Sequence, residues 1–338
     1  MSTGIEWTDE TWNPSRGCSK VSEGCRNCYA MKVAHRFSGR GKAYDGLTHL
    51  VKGKGPQWTG RVELVPEKLE EPLRWRKPKR VFVNSMSDLF HPDVPFEFVD
   101  QVFAVMAITP WHTYQVLTKR PERMAEYSES RLEMFRSRPS WGHPVQAQIE
   151  ILINRRPTPE DAGLWSWPLP NVWLGTSVED QAAADERIPH LFRTPAAVRF
   201  LSCEPLLGPV NLGRWPYLAR HDLVRNIREA NALGAFRSRD AWALHWIIIG
   251  GESGPGARPC DIAWIRDLVR QGRDAGVAVF VKQLGARPES IPDRITYRGS
   301  KTRKPYGFYL HLSDRKGGDP EEWPADLRVR EWPEASHA

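Results

Sequence analysis

The chain has 338 residues, 40% of them hydrophobic, which suits one large α/β domain or two ordinary ones and excludes a mainly disordered chain. A formal net charge of +7 and a pI of about 9.2 favour polyanionic partners, nucleic acid first. The sequence has no apolar run near membrane-spanning length, a start (MSTGIEWTDE) without signal-peptide character, and five cysteines with three of them clustered, so a cytoplasmic protein with reduced thiols is expected.

Ile5 to Trp12 reads as a first strand, and the run that follows is dense in turn formers: Asn13-Pro14, Ser15, Gly17, Ser22 and Gly24. Cys18, Cys25 and Cys28 fall inside this run. Tyr29, Met31, Val33, Ala34 and Phe37 then have the spacing of a helix that begins at Tyr29. Thiols this close in a reducing compartment suit a soft metal centre. A structural zinc site needs four closed ligands, and His35 would be the fourth. A four-iron cluster takes four cysteines, so three would leave one iron open for chemistry. Spacing alone leaves zinc, an open cluster and three unrelated thiols as alternatives.

Residues 38–60, with six glycines among basic residues, read as a flexible loop near the thiols. Beyond it, short apolar runs end in polar residues. Arg80 to Val83 leads into NSMSDLFH, Thr113 to Leu117 into TKRP, and Val172 to Leu174 into GTSVE. Val198 to Leu201 leads into SCEP, Trp246 to Ile249 into GGESG, and Val277 to Val281 into Lys282-Gln283. Helical patterns over Pro95–Ile108, Glu179–Leu191 and Asp261–Ala275 separate them. Strands alternating with helices predict βαβ units, hence a partial (β/α)6-type TIM-like barrel with parallel strands and helical or loop insertions. In such a barrel the C-terminal strand ends carry the chemistry, and the polar clusters fall there.

The barrel is expected over 1–285, with inserts at about 121–171 and 212–245 and a C-terminal extension, 286–338, packed on it. The first insert holds a charged helix and a Pro/Trp-rich connection. The second carries Arg214, Arg220, Arg225, Arg228, Arg237 and Arg239 among Trp215, Tyr217, Phe236 and Trp242. It reads either as a phosphate-tracking surface or as a solvated helical hairpin.

TGIEWTDETWNPSRGCSKVSEGCRNCYA closely resembles the N-terminal signature of the phage Gp37/Gp68-type three-cysteine-motif family, a domain of unknown function. The resemblance continues through NSMSDLFH, LTKRP, LGTSVE, LSCEPLLGP, IIIGGESGPGARP and VFVKQLG. That family is similar to divergent radical S-adenosylmethionine enzymes such as spore photoproduct lyase. The likeness implies a [4Fe-4S] cluster on Cys18, Cys25 and Cys28 whose open iron takes S-adenosylmethionine. The first cysteine gap is longer than the CxxxCxxC of radical enzymes, and Asn27 stands before the third cysteine where an aromatic residue is common.

The resemblance also assigns roles along the strand ends. Ser85 and Asp88 would hold the cofactor's amino group, Lys119 and Arg120 its carboxylate, and Ser177 and Glu179 its ribose. Ordinary alternatives are a helix cap for Asp88, a surface ion pair for Lys119 and Arg120, and caps for Ser177 and Glu179. Cys203 would return a hydrogen atom to a substrate radical, or be a small buried residue. Glu204 would line the pocket. Gly250-Gly251-Glu252 reads as a close-approach turn whose carboxylate faces the pocket.

The implied activity is a radical enzyme, of lyase or base-modifying type, that forms a 5′-deoxyadenosyl radical to repair or modify nucleic acid. DNA is the favoured substrate, the electron donor is a flavodoxin or ferredoxin, no membrane is involved, and the chain is monomeric. Two other readings remain: a zinc- or cluster-stabilised nucleic-acid-binding protein without catalysis, and a radical enzyme acting on a peptide or small molecule.

Overall fold

A computed structural model describes residues 4–137, 143–153, 166–214, 243–290 and 308–333. Seven strands form one sheet: β1 Glu10–Trp12, β2 Arg80–Val83, β3 Thr113–Thr118, β4 Val172–Ser177, β5 Val198–Cys203, β6 Trp246–Gly250 and β7 Ala278–Gln283. Their order in the sheet is their order along the chain, with parallel pairing such as Trp12 opposite Val83 and Val83 opposite Val116. Between them run α1 Tyr29–Arg36, α2 Phe96–Ala107, α3 Pro121–Ser137, α4 Pro144–Ile153, α5 Gln181–Arg193 and α6 Ile262–Asp274. This alternation is the topology of a partial (β/α) barrel, the fold class that the sequence predicts. Parallel strands are covered on both faces and read as continuous apolar runs. Every residue of β4 and β5 is buried accordingly.

The chain divides into two compact units. One is built from residues up to Thr176 together with Glu186–Phe200; the other takes Ser177–Asp185 and the chain from Leu201 onward. In the first, an added Cβ on Gly175 would stand 2.6 Å from the Phe200 ring, so the bare backbone of β4 admits that ring. In the second, Trp332 lies 5.0 Å from Trp246 between ring centroids, and Trp246 Nε1 donates to the Glu331 carbonyl at 2.9 Å. The C-terminal segment thereby covers β6 and β7.

Three expectations are corrected. The first strand begins at Glu10, because Ile5 and Thr8 close a turn ahead of it. Residues 38–60 are not simply a loop: Thr48–Val51 and Gly55–Trp58 pair antiparallel around Gly53, whose φ of 76° suits the tip. The first insert contains a second helix, α4, held by buried Val145 and Ile149 at helical spacing.

Of the second insert, Arg214 pairs with Asp185 at 3.0 Å. Arg220, Arg225, Arg228, Arg237 and Arg239, with Trp215, Tyr217, Phe236 and Trp242, lie outside the described residues. Among the described residues no helix is long and apolar enough to cross a membrane.

Candidate functional site

The cysteine loop leaves the buried end of β1 and is clamped by the run after β2. Asn13 Oδ1 accepts from the Met86 amide at 2.9 Å and from Ser85 Oγ at 3.2 Å. Asn84, with a φ of 61°, turns its Nδ2 onto Ser15 Oγ at 2.5 Å and Ser87 Oγ at 2.6 Å. Gly17 has a φ of 87°, and a Cβ there would stand 2.3 Å from the Arg61 carbonyl oxygen. Both constraints require glycine immediately before Cys18.

All three thiols are reduced and partly exposed. Cys25 closes a short 3-10 turn, Glu23–Cys25, and Cys28 is the N-cap of α1. Cys18 and Cys28 pack on a small core of Ala30, Met31, Ala34, Leu47, Trp58 and Met86, which α1 shares with the hairpin. Burial, then the Asp88 carboxylate, pushes the Cys18 thiol up to about 12. Burial also raises Cys28, against the opposing pull of the Met31 and Ala30 amides and of Lys119. Cys18 senses the charge of Cys28, and Cys28 that of Cys25, so Cys28 lies within electrostatic reach of both other thiols.

Asp88 is buried and carries protein bonds on both oxygens. Oδ1 accepts from Thr118 Oγ1 at 2.7 Å and the Phe90 amide at 3.0 Å; Oδ2 accepts from Arg120 Nη1 at 2.8 Å. Arg120 Nη2 donates to the Ser19 carbonyl at 3.0 Å and Ser19 Oγ at 2.8 Å, and Nη1 lies 4.0 Å from Cys18 Sγ. His91 Nδ1 accepts from the Asp93 amide at 3.2 Å, which leaves Nε2 to donate to Ser19 Oγ at 2.7 Å. Arg120 is thus committed to the loop. Lys119, half-buried and close enough to act on Cys28, has no hydrogen bond or ion pair from its ammonium among the described residues. Ser85 uses its hydroxyl on Asn13, while its carbonyl accepts from Tyr29 OH at 2.8 Å.

The donor set fits an iron–sulfur cluster: three thiols on one loop, with cationic Lys119 and Arg120 beside them to offset the charge of thiolate ligands. Among the described residues no three His, Cys, Asp or Glu side chains already stand in metal-binding geometry, so ligation requires the thiols to deprotonate and turn inward. His35 is seven residues beyond Cys28 along α1, about 10 Å at the helical rise. Its Nδ1 pairs with Thr48 Oγ1 at 3.1 Å, so that nitrogen is engaged on the hairpin.

The remaining candidates belong to the second unit. Ser177 and Glu179 are buried, and the Glu179 carbonyl accepts from the Leu207 amide at 2.7 Å. Cys203, the last residue of β5, is fully buried; burial, with Glu179 beside it, pushes its thiol up to about 12. Glu204 Oε1 accepts from Lys282 Nζ at 2.6 Å and Gln283 Nε2 at 3.0 Å. A Cβ on Gly250 would crowd the Glu204 side chain at 3.3 Å, and one on Gly251 would meet the Leu284 carbonyl at 2.2 Å, the close approach expected of that turn. Glu252 is buried against Arg258, which reaches it through Nη2 at 2.6 Å, its own amide at 2.8 Å and Nε at 3.0 Å.

Sequence reasoning missed Ser19 and His91 as partners of the loop, and Lys282 and Gln283 as partners of Glu204. The usable signal for the second pair was two polar residues closing an apolar strand.

A family model described as "Protein of unknown function (DUF5131)" matches residues 2–310. The chain belongs to that family. No curated protein and no solved structure matches it. The DUF5131 match takes in the cysteine loop, the Asp88–Arg120 pair and the Glu204–Lys282 pair, and ends before the segment that carries Trp332.

Proposed function

We propose that this chain is a radical S-adenosylmethionine-like iron–sulfur enzyme that acts on nucleic acid. The observation that carries the reading is three thiols on the loop between β1 and α1, with Cys28 within electrostatic reach of the other two and of Lys119, whose ammonium is unpaired among the described residues. Cys18, Cys25 and Cys28 would hold a [4Fe-4S] cluster. When bound and reduced by a flavodoxin or ferredoxin, the cluster supplies the electron that cleaves the sulfonium of S-adenosylmethionine.

The chain's own residues do the rest. Lys119 offers an ammonium to the cofactor carboxylate. Asp88, Arg120 and Ser19 fix the loop, and His91 holds the proton on Nε2 that Ser19 accepts. Burial keeps Cys203 as a thiol, the form that carries a transferable hydrogen atom. The excess of basic residues supports nucleic acid as the substrate class, and base repair or modification as the reaction.

Anaerobic reconstitution with iron and sulfide, followed by EPR of the reduced protein, tests the reading. The expected result is a four-iron signal that shifts when S-adenosylmethionine is added. A colourless protein holding one zinc overturns it.

A further inference from the structure

The positive charge of this protein is not spread over its surface. Between Arg16 and Arg61 the chain carries ten Lys or Arg against two acidic residues, Glu23 and Asp45. That excess of eight exceeds the +7 of the whole chain, so everything else together is close to neutral. The insert at 212–245, for comparison, has six arginines against three acidic residues.

The segment folds as α1 and the hairpin, joined through the small core that Cys18 and Cys28 also touch. Lys20 bonds Gln57, tying the cysteine loop to the hairpin. On this anchored lobe Arg36, Arg40, Lys42, Lys52 and Lys54 are exposed, with no hydrogen bond or ion pair from their side chains among the described residues. Lys52 and Lys54 flank Gly53 at the hairpin tip. Some exposed cations elsewhere have carboxylate partners, as in Arg193–Glu129, Arg266–Asp326 and Arg328–Glu321, and others such as Arg74, Arg76 and Lys77 have none among the described residues; what sets the lobe apart is its excess of eight positive charges. Two exposed aromatic rings stand on the same helix and its C-cap: Tyr29 at 52% exposure and Phe37 at 57%.

We infer that the lobe formed by α1 and the Thr48–Trp58 hairpin is a docking surface for single-stranded nucleic acid. Unpaired cations track phosphates, and exposed rings stack on unpaired bases whatever their sequence. An acidic protein would use the charges and leave the rings idle; a duplex would hide the base faces that the rings need. The surface adjoins the thiols, so a strand held there lies beside the candidate centre. The inference deepens the proposed function and rests on it for the class of partner.

The test is fluorescence anisotropy of a labelled single-stranded oligonucleotide with the full-length protein, titrated with salt. With about five phosphate contacts the slope of log K against log salt is about −3.5, and R40Q/K52Q/K54Q should flatten it by about 2. The same triple variant should bind at least about tenfold more weakly at 0.1 M salt. Phe37→Ala should weaken binding about tenfold and leave the slope unchanged. Unchanged affinity in the triple variant, equal binding of a duplex of the same sequence with no effect of Phe37→Ala, or loss confined to an acidic flavodoxin overturns the assignment. Iron content, read by absorbance on the same samples, separates the two ideas: a wild-type protein that takes no iron but binds the oligonucleotide through the lobe sinks the enzyme reading alone.

Discussion

Asp88 and Arg120 form a buried ion pair, Oδ2 to Nη1 at 2.8 Å, in which the second arginine nitrogen holds Ser19 next to Cys18. One carboxylate after β2 and one guanidinium after β3 therefore fix where the first thiol sits.

Breaking one half of a buried pair leaves an uncompensated charge, a cost of about 3–5 kcal/mol. Asp88→Asn should lose that much stability to chemical denaturation. Removing both charges, in Asp88→Asn with Arg120→Met, should cost less than the single change. A single-variant loss below about 1 kcal/mol contradicts the buried pair.

His35→Ala should leave the metal content unchanged, because the helix places that imidazole a full two turns from Cys28. Cys25→Ala should abolish it. Metal analysis of purified, reconstituted variants reads both, and loss of metal in His35→Ala points to zinc with His35 as a ligand.

Gly17→Ala meets two obstacles at once: a left-handed backbone and a carbonyl oxygen 2.3 Å from the new methyl group. Strain of this kind costs about 1–3 kcal/mol at least. The expected outcome is a lower melting temperature together with lost iron binding. Gly53→Ala, with φ 76° but nothing within 4 Å of its Cβ, should melt closer to wild type and keep its iron.

Burial holds Cys203 and Cys260 at about 12, against 9.0 for a free thiol. Between those values the unfolded chain has lost protons that the folded chain keeps, so stability is fully present below about pH 9 and falls as pH climbs toward 12. The slope is roughly 1.4 kcal/mol per pH unit for each thiol. The buried phenols of Tyr114 and Tyr127, also raised by burial, act in the same direction. Denaturation at pH 8.5 and pH 10.5 should show the fall, and Cys203→Ala should reduce it; a flat profile means that the thiols are open to solvent.

The strands were legible because parallel, two-face-buried segments such as Val198–Cys203 announce themselves as apolar runs, and the polar residues at their ends mark the candidate sites. The hairpin was not. Its strand GPQW carries Gly55 and Pro56, residues that usually argue against a strand, and it exists because Leu47 and Trp58 bury themselves against α1. Local patterning cannot report a tertiary contact of that kind. The pairing of Lys282 with Glu204 was hidden for the same reason: 78 residues separate them in the chain. The roles of Lys119 and Arg120, adjacent and both cationic, diverge because, among the described residues, the Arg120 side chain meets a carboxylate and the Lys119 side chain does not.

The small core under the hairpin makes two events one equilibrium. Cys18 and Cys28 pack on the side chains that anchor Thr48–Trp58, so a ligand held by the thiols is expected to rigidify the hairpin. Linkage runs equally in both directions. A polyanion gripped by the hairpin must raise the thiols' affinity for their ligand by the same factor that the ligand raises affinity for the polyanion. Under the proposed reading, loading the centre and recruiting a partner are then two readings of a single coupling constant, and iron-free protein would grip its partner more weakly.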